Sequence, residues 1–323
     1  MTTNELFFIL LRAAVWNEPP QLPCVPGPEE WRIIYNMSKA HAVQGILFDV
    51  IKDLPAAAGV PRQLAAEWMV EADGVERDYA AKNALTLEQE KFWKNNGIEA
   101  VLLKGVSVAR FYPVPEHRVM GDIDWWMPGR GNWRKALELV RAGGHGENVK
   151  RDSDGDCNYT SGGIAVELHR KGMRAEGAVG MLVMLNEHIL HHVMTSGIGM
   201  RHLCDMALAY RYYCGSYDAK EYLNCLKKYG LSKWNGLLNA TLKRILAVPD
   251  DMLPGAAGSV RAADTDRLID LIMEDGDMGF GRRHRFGGFF NRFGLFMRYA
   301  PWLFVKRWTG LAIGRITFTI FAD

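Results

Sequence analysis

What the chain lacks narrows its class first. Its five cysteines, Cys24, Cys157, Cys204, Cys214 and Cys225, are an odd number and form no Cys-x-x-Cys pair. That speaks against a disulfide framework and a structural zinc site, and it suits a reducing cytosol. No uncharged apolar run reaches the ~18 residues that a membrane-spanning helix needs. The apolar start, Met1 to Val15, carries Glu5 and no basic leader, so it reads as a first helix and not as a signal peptide. There is no Gly-rich phosphate loop of the Walker or kinase type. Glu187-His188-Ile189-Leu190-His191-His192 matches neither H-E-x-x-H nor H-x-x-E-H. A kinase-like phosphotransferase and a zincin are both disfavoured on these grounds. Internal repeats and low-complexity runs are absent. The net charge is only +2 over 323 residues, but it is uneven. From Gly279 to Asp323 there are seven Arg and one Lys against one Asp, so that segment carries +7 and the remainder −5.

What is present is mostly helical pattern. Residues 4–16 show an apolar stripe of Leu6, Ile9, Leu10 and Ala13. A proline-rich loop follows, then one or two helices over 29–51, then a long amphipathic stretch over 62–96 that stops at Asn96-Gly97. Helical pattern returns over 180–213, 219–246 and 265–274. Between these lies a different texture. Ile98 to Leu103, Asp122 to Met127 and Ile164 to Arg170 are short strand-like runs. Residues 133–142 are helical, and 146–163 form a polar hairpin or loop. The expected fold class is α+β (mixed α/β), a small sheet core embedded in a largely α-helical protein. The expected segments are an N-terminal helical module (1–96), the α/β core (97–175), a second helical module (176–278) and a basic aromatic C-terminal segment (279–323).

The chemistry concentrates in the sheet core. In Gly121-Asp122-Ile123-Asp124 a strand puts both carboxylates on one face. Two acids held side by side repel, and a bound cation relieves them. In Ile164-Ala165-Val166-Glu167-Leu168-His169, alternation puts Glu167 and His169 on one face, opposite Ile164, Val166 and Leu168. A neighbouring strand can therefore deliver Glu167 to the same cation. Lys104-Gly105 follows the first strand. Gly105 lets backbone approach a phosphate and Lys104 offsets its charge. Arg118 suits bidentate phosphate contact. His169 either touches phosphate or bonds its neighbourhood. His188 and His192 share a helical face and read as structural. Arg201 and Asp205, also four apart, either pair or face a substrate. Trp125 is expected in the core and Trp126 on the acid face.

Leu102-Leu103-Lys104-Gly105, Arg118 with Gly121-Asp122-Ile123-Asp124, and Val166-Glu167-Leu168-His169, in that order, resemble the bacterial uncharacterised nucleotidyltransferase family of the polymerase-β-like superfamily. The stretch His191-His192 to Ala207 resembles that family's helical signature. The wider superfamily has Gly-Ser or Gly-Gly about ten residues before its Asp pair, whereas this chain has Lys104-Gly105 and a longer gap. The resemblance implies two Mg²⁺ ions held by Asp122, Asp124 and Glu167, which are also the catalytic set. It further implies an NTP held with the help of Lys104, Gly105, Arg118 and His169, and transfer of an NMP to an acceptor with release of pyrophosphate. The acceptor (small molecule, sugar, protein or RNA end) is open. A non-catalytic nucleotide-binding or scaffold protein is the alternative. The Arg-and-aromatic segment 279–323 suits an anionic membrane surface or the protein's own body better than a specific nucleic acid. The expected location is the cytoplasm, including the periphery of the inner membrane.

Overall fold

The structure, a computed structural model, describes residues 2–142, 146–151, 155–255, 260–277 and 287–305. The elements run α1 (Thr3–Trp16), α2 (Pro28–Ala40), α3 (Gln44–Lys52), α4 (Arg62–Asn95), β1 (Val101–Leu102), α5 (Val106–Ala109), β2 (Ile123–Trp126), α6 (Asn132–Ala142), β3 (Glu147–Arg151), β4 (Cys157–Ser161) and β5 (Ile164–His169). There follow α7 (Gly177–Met194), α8 (Met200–Tyr213), α9 (Ala219–Lys228), α10 (Ser232–Leu246), α11 (Ala262–Asp275) and α12 (Gly287–Tyr299). The fold is α+β: helices dominate, and the strands form one mixed sheet. Among the described residues, no helix is long and apolar enough to cross a membrane.

The chain forms two compact units. One comprises Pro23–Tyr35 and Gln44–Met173 and holds the sheet. The other comprises Met1–Leu22, Asn36–Val43 and Arg174–Asp323. Helix α4, which the sequence assigns to an N-terminal helical module, shares its unit with the sheet.

The sheet has five strands in the order β1-β2-β5-β4-β3: the three expected runs and a hairpin in the stretch expected to be a hairpin or loop. The additional pair is the hairpin β3–β4, which falls in the polar stretch 146–163. Strand β3, Glu-Asn-Val-Lys-Arg, is an edge strand open to solvent, so its sequence carries no apolar alternation. Strand β2 pairs with β5 in parallel, and the other pairs are antiparallel. A parallel pair needs a long crossover, and α6 with the hairpin supplies it.

One face of the sheet carries the core. Ile123 and Trp125 from β2, Cys157 and Tyr159 from β4, and Val166 and Leu168 from β5 pack with Ala136, Leu137 and Val140 of α6 and Trp93 of α4. Gln89 of α4 ties this layer together. Its Oε1 accepts from Trp125 Nε1 at 2.7 Å, and its Nε2 donates to the Tyr159 hydroxyl at 3.3 Å. The polar end of Gln89, which reaches into this face, is thereby paired, as burial demands. Trp125 is core, as expected, and every chemically interesting side chain of β2 and β5 is left on the other face.

In the second unit, the helical pattern read across 180–213 is two helices. Gly197 sits at φ +88°, in left-handed space, and a Cβ there would lie 2.7 Å from Asp275 Cβ. Only glycine fits that turn between α7 and α8. Tyr210, Tyr222, Asn186, Asn235 and Asn239 form a buried polar network within this unit. Arg292 donates to Val193 O at 2.6 Å and pairs with Asp275. Of the basic segment, 279–286 and 306–323 lie outside the described residues, so most of the expectation for 279–323 does too.

Candidate functional site

Strand register assembles the site. Asp124 of β2 stands directly beside Glu167 of β5, and Trp126 beside His169. Asp124, Glu167 and His169 therefore share the face opposite the core. Each offers a ligand atom, and the three atoms lie within 4.8 Å of one another. Asp122 precedes β2 on the same side, half-buried, and interacts electrostatically with Asp124, Lys104, Glu167 and His169.

Lys104 enters from the end of β1. Leu103 N–H donates to Asp124 O at 2.9 Å, extending the β1–β2 pairing by one residue. Gly105 then turns the chain at φ +73°, ψ −122°, a conformation that disfavours any side chain. The turn holds Lys104 Nζ 2.8 Å from Asp124 Oδ1.

His169 is held at both ring nitrogens. Nε2 lies 2.8 Å from Asp124 Oδ1 and 3.6 Å from Glu167 Oε2. Nδ1 lies 3.0 Å from Asp156 Oδ2, and Asp156 Oδ1 accepts the Arg170 backbone N–H at 2.7 Å. Asp156 was not among the residues singled out from the sequence. It sits one residue before the Cys157–Leu168 pair of β4 and β5, so only the hairpin's register brings it opposite His169.

The electrostatics follow from this packing. Asp124 is 1% exposed. Burial works to raise its pKa, but Lys104 and His169 outweigh burial and hold the carboxyl below its usual range. Asp122 is raised, first by the charge of Asp124 and then by burial. Glu167 is pushed up to about 7, chiefly by burial, with His169 opposing. Burial would lower His169, yet its hydrogen bonds to Asp124 and Asp156 dominate and carry it up to about 10. Burial likewise opposes the charge on Lys104, and the acids around it raise its pKa on balance. Four carboxylates thus face two cationic side chains on one sheet face. Carboxylate oxygens with an imidazole nitrogen are a donor set that fits a divalent cation.

Other residues singled out from the sequence have these surroundings. Arg118 is buried, with its guanidinium 5.9 Å from the centre of the Tyr112 ring. Trp126 is on the acid face, as expected, and its indole is packed on Gly172, where a Cβ would lie 1.8 Å from Cδ2. Trp133 donates from Nε1 to Leu168 O at 3.1 Å. In the second unit, the rings of His188 and His192 are 4.3 Å apart, and His192 Nδ1 lies 2.7 Å from Ser196 Oγ. Arg201 pairs with Asp277 at 3.1 Å.

Searches of curated proteins and of solved structures find no match. A family model described as "Uncharacterised nucleotidyltransferase" matches residues 27–180. That stretch holds all five strands together with Lys104, Gly105, Arg118, Asp122, Asp124, Asp156, Glu167 and His169. Over residues 27–180, a little under half of its length, the chain is similar to the uncharacterised nucleotidyltransferase family.

Proposed function

We propose that this protein is a Mg²⁺-dependent nucleotidyltransferase that moves an NMP from an NTP to an acceptor and releases pyrophosphate. The observation that carries the reading is the pairing of Asp124 with Glu167 across β2 and β5, with Asp122 and Lys104 on the same face, inside the family segment. Asp122, Asp124 and Glu167 are the residues to hold the ions. When bound, Mg²⁺ neutralises phosphate charge and lowers the pKa of an acceptor hydroxyl. Lys104 offsets the remaining phosphate charge, and Gly105 leaves room for a phosphate against the backbone. Glu167, on the same face, holds cation or takes the hydroxyl proton. The acceptor oxygen forms its bond to the α-phosphorus as the bond to pyrophosphate breaks. We place the protein in the cytoplasm, with 279–323 available for contact with an anionic membrane surface.

The test is a thermal-shift panel of the four NTPs, each with and without Mg²⁺, on wild type and an Asp122→Ala/Asp124→Ala variant. A ligand that binds only the native state raises apparent stability. A Mg²⁺-dependent shift for one NTP, lost in the variant, is the expected result and names the donor. Pyrophosphate release with candidate acceptors then tests turnover. Nucleotide binding without Mg²⁺-dependent pyrophosphate release points to the non-catalytic alternative.

A further inference from the structure

The three grouped ligand atoms are chemically unlike: two carboxylate oxygens and one imidazole nitrogen. Mg²⁺ is a hard ion that favours oxygen donors and retains waters, whereas the later first-row transition-metal dications accept imidazole readily and Mn²⁺ stands between the two groups. Metal-ligating histidines usually give their second ring N–H to a carboxylate that fixes ring orientation and tautomer. His169 has that support. Nε2 is turned to Asp124 and Glu167, Nδ1 is turned to Asp156, and Asp156 is itself fixed by the Arg170 backbone N–H.

We infer that His169 Nε2 is a metal ligand beside Asp124 and Glu167, that Asp156 is its positioning residue, and that this site prefers a first-row transition-metal dication to Mg²⁺. The inference rests on the nucleotidyl-transfer reading for the site's purpose and deepens it at one of the two cation positions. A metal at Nε2 would take the place of the Nε2 proton, which would leave to solvent, while the Nδ1 proton would stay on the ring and be donated to Asp156.

Mn²⁺ is the probe, because it binds most weakly in the transition-metal order and is visible by electron paramagnetic resonance. Full-length wild type, His169→Gln and Asp156→Asn are titrated with Mn²⁺ alone and in competition with Mg²⁺, without nucleotide. Pulsed resonance on the Mn²⁺ complexes then looks for ¹⁴N coupling. In wild type, Mn²⁺ should bind at least about tenfold more tightly than Mg²⁺ and show ¹⁴N coupling. In His169→Gln the coupling should vanish, and the preference should shrink to about threefold or less. Asp156→Asn should keep the coupling and lose about tenfold in Mn²⁺ affinity. Wild-type Mn²⁺ without ¹⁴N coupling overturns the inference whether or not the variants fold. Coupling that survives His169→Gln also overturns it. Unchanged Mn²⁺ affinity in Asp156→Asn removes the positioning role. Coupling in a protein that binds no NTP retains the metal site and removes the transferase reading. An Mg²⁺-dependent NTP shift in a protein without coupling does the reverse.

Discussion

Lys104 and His169 both donate to the same atom, Asp124 Oδ1, each at 2.8 Å, while Asp122 lies on the same face with its pKa raised by the charge of Asp124. The two aspartates of one motif are therefore in opposite electrostatic situations. The fold stabilises one ionised carboxylate and destabilises the other.

That asymmetry makes a signed prediction at pH 7 with EDTA present. Asp124→Asn takes from two poorly solvated cations the buried carboxylate that they share and should cost about 3 kcal/mol. Asp122→Asn removes a charge that the fold disfavours and should raise the melting temperature by about 2 °C. Thermal denaturation of both variants decides it. A large loss of stability in Asp122→Asn contradicts the electrostatic account. Both variants should lose cation binding.

Metal removal should leave the fold standing. The core of the sheet lies on the face opposite the acids and is closed by α6 and Trp93 without reference to them. EDTA should change the melting temperature of purified protein by less than about 2 °C, whereas saturating divalent cation should raise it by mass action. Unfolding by EDTA means that the cation is structural.

The acid face was legible in the sequence because a strand alternates with period two. Asp122-x-Asp124 and Glu167-x-His169 declare their face without any tertiary information. Asp156 was not legible, since a hairpin's register sets its place opposite His169 and the run Asp152-Ser153-Asp154-Gly155-Asp156 has no periodicity to read. Arg118 shows the converse. Four residues before Asp122 is a suggestive spacing, but spacing along a loop fixes no direction, and the structure places this side chain against Tyr112. The α7–α8 break needed Asp275 beside Gly197, a contact distant in sequence.

Trp126 and Gly172 should be strongly coupled. A Cβ at residue 172 would lie 1.8 Å from Trp126 Cδ2, so Gly172→Ala must move the indole off its seat on the acid face. Overpacking of this kind costs about 1–3 kcal/mol. In a Trp126→Leu background the cost should fall by at least about 1 kcal/mol, because the clashing ring is gone. Urea denaturation of the four proteins in the cycle measures this. Equal costs in both backgrounds would mean that the chain relaxes elsewhere.

The loop that leads into Asp122 is pinned by a second histidine, and its pH dependence has a definite sign. His117 ends the 3-10 turn Pro115–His117. Its Nδ1 lies 2.8 Å from Asp49 of α3 and its Nε2 2.7 Å from Glu76 of α4. Lys82 of α4 donates to Met120 O at 2.8 Å further along the loop. Gly45 of α3 lets the turn approach, since a Cβ there would lie 2.3 Å from His117 O. Burial alone would lower the His117 pKa, but the two carboxylates outweigh it and raise it. Burial would raise Asp49, yet His117 and Lys52 hold it low. The histidine's contribution is therefore fully present below its unfolded value of about 6.5 and is lost as pH rises through the higher folded value. The aspartate's contribution is present above about 3.9 and is lost in acid below that. His117→Gln should cost about 2 kcal/mol below the unfolded value of about 6.5, as expected for charge-assisted hydrogen bonds, and progressively less as pH rises through the higher folded value. Urea denaturation of wild type and variant across that range tests it. A difference that grows with pH would mean that His117 is held neutral, and the clamp on the loop before Asp122 would then not be ionic.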